Sequence, residues 1–262
     1  MKIKSIKPLG AEISDINLSS SLNRSDFNLI KEAFLDNLLL IFKDQSLTPK
    51  DLLSAATLWG FPQKHPIFQG LEDIPEIIKI ENYGERYHTN AHWHSDVTFE
   101  EEPPDATILY AIDVPLQGGN TLFANQYLAY DSLEKNLKEK LKNYFAVNTN
   151  KSVVQLAEAD PSLEKTVLHP VFRTHPETGK KALFVTQAFV ERIEGLNNKE
   201  SEEILMKLYS HTSDKKIRYE HKWHNGDMVV WDNRCVQHYA IHDHGNKTRT
   251  LYRITVSGSK PY

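Results

Sequence analysis

One cysteine, Cys235, is all that the 262 residues provide. That excludes an intrachain disulfide and a cysteine-based zinc knuckle, and it fits a reducing compartment. No stretch approaches the roughly 18 uninterrupted apolar residues of a membrane helix, and the opening MKIKSIKPLGAEI is basic without a signal-type apolar run. The expectation is a soluble, cytoplasmic protein with no membrane partner. With a net charge of −4 the chain has no broad basic field, so nucleic acid is not an expected partner either. What the chain does have is histidine, 12 in all, many of them between Lys64 and His94 or between His221 and His244.

Hydrophobic patterning predicts many short strands with a few helices. Lys2 to Ile13 alternates like a strand with a turn at Pro8-Leu9-Gly10, and Leu39 to Phe42 reads as a short buried strand. Ser25 is the expected N-cap of a first helix, and Thr48-Pro49-Lys50-Asp51 opens a second. Strands are expected over Glu76 to Glu81, Thr107 to Ile112, Asn120 to Phe123, Thr166 to Val171 and Ala182 to Thr186. The same holds for Met228 to Trp231, Gln237 to Ile241 and Arg249 to Ser257, with a hairpin signal at Asn225-Gly226. Asn125 is expected to cap one long helix to about Tyr144, Asn198 to Thr212 to form another, and residues 147–162 to form a loop or lid. Without an internal repeat or linker, residues 1–262 read as a single domain, mainly β with flanking helices, suited to a barrel-like pair of sheets.

Within that pattern AHWHSDVTF places His94 and Asp96 two residues apart in a strand-like run, so both side chains should project from one face. Two imidazoles and one carboxylate on one face of an octahedron make a non-haem iron site with open positions. The second imidazole must come from far along the chain, where WDNRCVQHYAIHDH offers His238, His242 and His244. His238 lies in the strand-like run and is preferred; the other two sit in a polar turn that could hold adventitious metal. His92 is too far along an extended strand to share an ion with Asp96. Arg249 and Arg253, four apart on an expected strand, put two guanidiniums on one inward face, which calls for anionic ligands.

Taken in order, WHSDVTF, PPDATILYAIDVP, GGNTLF, LHPVFRTHPETGKKALFV, WDNRCVQHYA and RTLYRITVSGSKP resemble the taurine dioxygenase family of Fe(II)/2-oxoglutarate-dependent enzymes, over nearly the whole chain. The resemblance implies a double-stranded β-helix (jelly roll, cupin-like). It implies Fe(II) held by His94, Asp96 and His238, with 2-oxoglutarate and O2 as cosubstrates. By the same similarity Arg249 and Thr121 would bind the distal carboxylate of 2-oxoglutarate, and Arg253 the anionic head of the primary substrate. His65 and Asn90 match further substrate contacts, with Val97 and Phe189 as apolar wall. Phe68 departs from the pattern, standing where taurine-specific members carry a tyrosine, which puts taurine in doubt.

The implied reaction hydroxylates a small anionic organic substrate, a taurine-like alkylsulfonate that would then release sulfite and an aldehyde. An alkyl sulfate or a carboxylate is the alternative. The family also implies a homo-oligomer, dimer or tetramer. Two other classes are open on the residues alone, a non-catalytic jelly-roll binding protein and a zinc hydrolase. The intact triad with Arg249 argues against the first, and the lack of a placed glutamate base against the second.

Overall fold

In a computed structural model the described residues are 1–81 and 91–262, so the expected loop from Tyr83 to Asn90, including the candidate Asn90, lies outside them. The strands in chain order are β1 (Lys2–Ser5), β2 (Ala11–Ser14), β3 (Leu39–Phe42), β4 (Pro62–Gln63), β5 (Ile78–Ile80), β6 (Ala106–Asp113), β7 (Thr121–Asn125) and β8 (Phe145–Thr149). They continue with β9 (Thr166–Pro170), β10 (Phe172–Thr174), β11 (Lys181–Leu183), β12 (Val190–Ile193), β13 (Arg218–His221), β14 (Met228–Asp232), β15 (Val236–Ala240) and β16 (Thr250–Val256). The main sheet runs β1-β2-β3-β14-β6-β16-β4, with β5 also on β16, and a smaller sheet runs β13-β7-β15. Together they make the jelly roll; β12-β8-β9 and β10-β11 are outlying sheets.

Alternation explains why the central strands read as continuous apolar runs. Leu40 and Phe42 of β3, Ile108 and Tyr110 of β6, and Met228 and Val230 of β14 enter one core that also takes Ile30, Phe34 and Leu52 from the helices α1 (Arg24–Asn37) and α2 (Pro49–Ala56). Their neighbours Leu39, Ile41, Leu109, Val229 and Trp231 point the other way, into a core shared with Phe123 and Val236 of the small sheet. Both faces are covered, so no polar residue is required between apolar ones.

Local signals placed several elements correctly and misplaced others. Thr48 and Asp51 form the expected capping box, but α1 is capped by Asn23, not Ser25: Asn23 Oδ1 accepts from Asp26 N at 2.8 Å and Asn23 Nδ2 donates to Asp26 Oδ2 at 2.9 Å. Asn125 caps as expected, yet the long helix is two: α3 (Gln126–Ser132) and α4 (Lys135–Leu141). Leu133 leaves helical geometry, with ψ 143°, to bury its side chain in the core beneath. Asn225-Gly226 does not join a hairpin, because β13 and β14 lie in different sheets. Gly226, at φ +84°, instead donates to Ala111 O and accepts from Gln45 N, and a Cβ there would lie 2.7 Å from Gln45 O. Residues 147–162 are not an irregular loop throughout: they finish β8 and form α5 (Lys151–Leu156), and Asn150 pins the turn between by bonding Leu163 O and Lys165 N. A strand passing into a helix within a few residues has neither period for long, which is why the sequence looks aperiodic there.

Candidate metal and cosubstrate site

His94 and Asp96 do not lie in a strand. His94 forms a single antiparallel bridge to His238, and Asp96 begins a turn. His94 N donates to His238 O at 3.1 Å and His238 N to His94 O at 2.8 Å, so the loop docks on β15 as a one-residue strand extension. Directly opposed residues of an antiparallel pair present side chains on the same face, and the two imidazole centroids are 4.0 Å apart. Asn233 turns the chain after that bridge: its Oδ1 accepts from Asp96 N at 2.7 Å, and its Nδ2 donates to Asp96 O and Pro104 O, each at 3.0 Å. Val97 follows at φ +56°, a conformation that costs a β-branched residue energy and persists because Asn233 and the bridge hold both sides.

The result is a buried cluster in which one donor atom each from His94, Asp96 and His238 lies within 4.8 Å of the others. His94 Nε2 and His238 Nε2 stand 3.9 and 4.0 Å from Asp96 Oδ1. His94 Nδ1 is engaged by His92 O at 2.7 Å, which leaves its Nε2 lone pair facing the cluster. Burial lowers the basicity of both rings, His238 to about 3 with His94 adding to the effect, so both are neutral and able to ligate. For Asp96 burial acts upward, but His238, Arg253 and His94 outweigh it and hold the carboxyl at about 2. Since the imidazoles are neutral at pH 7, Arg253 is the lasting counter-charge. Asp96 Oδ2 is buried without a hydrogen-bond partner among the described residues. Two neutral imidazoles, a carboxylate and an orphaned carboxylate oxygen fit a divalent cation.

Around this cluster stand the other expected residues. Arg253 Nη1 approaches Asp96 Oδ1 at 3.4 Å, while its Nε and Nη2 are buried with no partner among the described residues. His65 Nδ1 accepts from the backbone N–H groups of Ile67 and Phe68, both at 3.0 Å, which places the ring proton on Nε2. Burial, with Arg253 nearby, lowers its pKa to about 3, so it is a neutral donor. Val97 and Phe189 meet Phe99 and Val153 in an apolar cage completed by Ile67 and Phe68. An open cleft of about 610 Å³ reaches this cage through Val97, and no ligand of the cluster lines it. Arg249 lies just before β16, not within it, and a register shift between Thr250 and Leu251 separates it from Arg253. It is buried, its Nε donates to Gly119 O at 2.9 Å, and burial lowers its pKa to about 10.

The family model for taurine catabolism dioxygenase TauD, TfdA family, matches residues 2–255. The chain belongs to the TauD/TfdA family. A TauD/TfdA protein of this kind is a 2-oxoglutarate-dependent oxygenase. Among its curated relatives, an alkylsulfatase of Acinetobacter baylyi is 33% identical over 265 residues, 95% of this chain and 82% of the relative. An alpha-ketoglutarate-dependent sulfate ester dioxygenase of Pseudomonas putida is 31% identical over 97% of this chain and 88% of its own. The crystal structure of a taurine dioxygenase from Burkholderia xenovorans superposes with a TM-score of 0.88 at 30% identity, covering 99% of this chain and 90% of that one.

Several residues of this TauD/TfdA site were not singled out by the sequence. Trp223 Nε1 donates to Thr121 Oγ1 at 3.0 Å from 102 positions away. Trp231 faces His238 from the opposite sheet with ring centroids 4.6 Å apart, and Asn233 sits in the same WDNR run whose motif character pointed there. Val153 falls inside the segment expected to be a loop. A second buried cluster, His175, Asp232 and Cys235, has ligand-type atoms equally close. Arg234 donates to both oxygens of Asp232 at 2.8 Å, and His175 to one at 3.0 Å, so a cation there would meet a guanidinium. That cluster ties β14 to the loop at Glu177, which also accepts from Arg234.

Proposed function

We propose that this protein, as one catalytic domain, oxidises a small organic sulfate ester or sulfonate at the carbon bearing the sulfur group. The observation that carries the reading is Arg253: its Nε and Nη2 are buried with no partner among the described residues, and its Nη1 lies 3.4 Å from Oδ1 of Asp96, which is next in sequence to Val97 of the apolar cluster with Phe68, Val153 and Phe189. A buried guanidinium in that state needs an anion, and an apolar cage beside it needs a hydrocarbon. Taurine fits less well, since Phe68 stands where taurine-specific members of the family carry a tyrosine hydroxyl. The two curated relatives described above are named for sulfate esters, while others that the chain matches are named sulfonate dioxygenases, so both classes belong in the test.

His94, Asp96 and His238 hold Fe(II) in this reading. With Fe(II), 2-oxoglutarate and O2 bound, the site supplies the oxidising chemistry: the keto acid becomes succinate and CO2, and one oxygen atom goes to a substrate carbon. This chain's residues decide which carbon. Arg253 and the Nε2–H of His65 fix the anionic head, while Val97, Val153 and Phe189 orient the chain and exclude water. Arg249 and Thr121 receive the distal carboxylate of 2-oxoglutarate. Hydroxylation beside a sulfate ester oxygen gives a hemiacetal that breaks its C–O bond to an aldehyde and sulfate; beside a sulfonate the C–S bond breaks and sulfite leaves. Assembly into dimers or tetramers in the cytoplasm belongs to the same proposal, supported by the family resemblance.

The test is O2-dependent succinate formation across alkyl sulfates, alkylsulfonates, taurine and small carboxylates, with sulfate and sulfite measured separately. Arg253→Ala is expected to raise KM for the primary substrate on the order of tenfold or more, with the keto acid KM nearly unchanged; Arg249→Ala should do the reverse. Equal effects of both variants on both ligands, or turnover without sulfate or sulfite release, would refute the assignment.

A further inference from the structure

The turn after β15 carries a histidine that the sequence placed in a polar surface loop. His244 is in fact 5% exposed, and neither ring nitrogen has a hydrogen-bond partner among the described residues. Leaving an imidazole donor and acceptor buried and unpaired is unfavourable, so the ring's location calls for a ligand that pairs it. Its surroundings indicate which ligand. Gly119, at φ +70°, accepts from Arg249 Nε through its carbonyl and donates its N–H to Asp243 Oδ1 at 2.7 Å. A Cβ on Gly119 would lie 3.0 Å from Arg249 Cδ, 3.1 Å from Arg249 Nε and 3.4 Å from His244 Nδ1. Arg249 and His244 therefore both pack against the backbone at Gly119, two residues before Thr121 opens β7. Burial and the neighbouring Arg249 both keep the ring neutral, with Asp243 opposing, so His244 adds a donor without adding a like charge beside Arg249.

Building on the assignment of Arg249 to the keto acid, we propose that His244 is a further cosubstrate-binding residue: its ring N–H donates to the distal carboxylate of 2-oxoglutarate and makes the site selective for a keto acid with a second acidic end. The carboxylate would then have three convergent donors, from Arg249, Thr121 and His244. Nothing else described around the ring offers it an acceptor within hydrogen-bonding distance.

The decisive comparison uses calorimetric titration of the Mn(II)-loaded protein, without turnover, with 2-oxoglutarate and with 2-oxopentanoate, which has the same carbon count and no distal carboxylate. His244→Phe is expected to weaken 2-oxoglutarate on the order of tenfold or more, the size of one lost hydrogen bond to a charged group, and to leave 2-oxopentanoate unchanged. His244→Gln, which keeps an N–H donor and serves should the larger ring disturb folding, is expected to stay within about twofold of the parent for 2-oxoglutarate, with an unchanged melting temperature. Equal losses for both keto acids, or no loss for 2-oxoglutarate while Arg249→Ala abolishes its binding, would overturn the role of His244 alone. If Arg249→Ala also leaves 2-oxoglutarate binding intact, the assignment of the whole pocket fails.

Discussion

Thr121 has one hydroxyl proton, and Trp223 decides where it can go. Because the indole N–H already donates to Thr121 Oγ1, the hydroxyl can act toward another partner as a donor, which is what a carboxylate requires. Trp223→Phe keeps the apolar packing and removes that constraint. It is expected to raise the keto acid KM about threefold to tenfold, in line with about 1 kcal/mol for one hydrogen bond, while the primary substrate KM holds. Steady-state kinetics with each ligand varied in turn checks this, and a loss shared by both would mean that Trp223 acts through general packing. At this scale legibility was uneven. His94 and Asp96 were a weak pair by themselves, and with His238 they stood out through the order of motifs that resembles the taurine dioxygenase family; Thr121 carried almost no signal of its own, and Trp223 and His244 drew their importance from neighbours brought close only by the fold.

Short elements with strong end signals were readable, and those that answer to a distant partner were not. The capping box of α2 lies within four residues and is satisfied there, as it was expected to be. The HxD run had to be reinterpreted: its two side chains share a face because of one bridge to β15 and the grip of Asn233, not because the segment is a strand. Likewise α5 emerged from a stretch without clear period, and it matters because Val153 closes the apolar cage against Val97 and Phe99. Enlarging that wall should shorten the acceptable substrate. Val153→Phe is expected to reduce kcat/KM for longer alkyl sulfates about tenfold or more and to spare the shortest, the range seen when a hydrophobic pocket loses room for a methylene or two. A uniform loss along a chain-length series would show that α5 does not face the hydrocarbon.

Over the whole molecule, burying titratable groups between two sheets makes stability depend on acid in two stages. His169 is buried and held at about 4 by desolvation, below an unfolded value near 6.5, so the unfolded chain binds more protons between those limits. Its stabilising contribution is complete above about pH 6.5 and is lost as pH falls toward 4, on the order of 1.4 kcal/mol per unit. Asp232, where burial acts upward but the hydrogen bonds from Arg234 and His175 prevail, stands at about 2, and its contribution is lost in a second stage, from near pH 4 down to 2. Denaturation curves over this range are expected to show both, with His65 and His238 adding to the first, so that His169→Gln lessens its slope without removing it and leaves the second; an unchanged slope in His169→Gln would contradict the burial of His169.

From alternation the sequence determined a single many-stranded domain suited to two sheets, and the order of its motifs, through their resemblance to the taurine dioxygenase family, pointed to His94, Asp96 and His238, because periodicity and motif chemistry are properties of residues and short spacings. Tertiary structure alone decided which face of the HxD loop turns inward, what pairs with Thr121, and that His244 lies against Arg249. Those relations are made by register between strands far apart in the chain, where hydrogen bonding between backbones sets side-chain neighbours that no local pattern encodes.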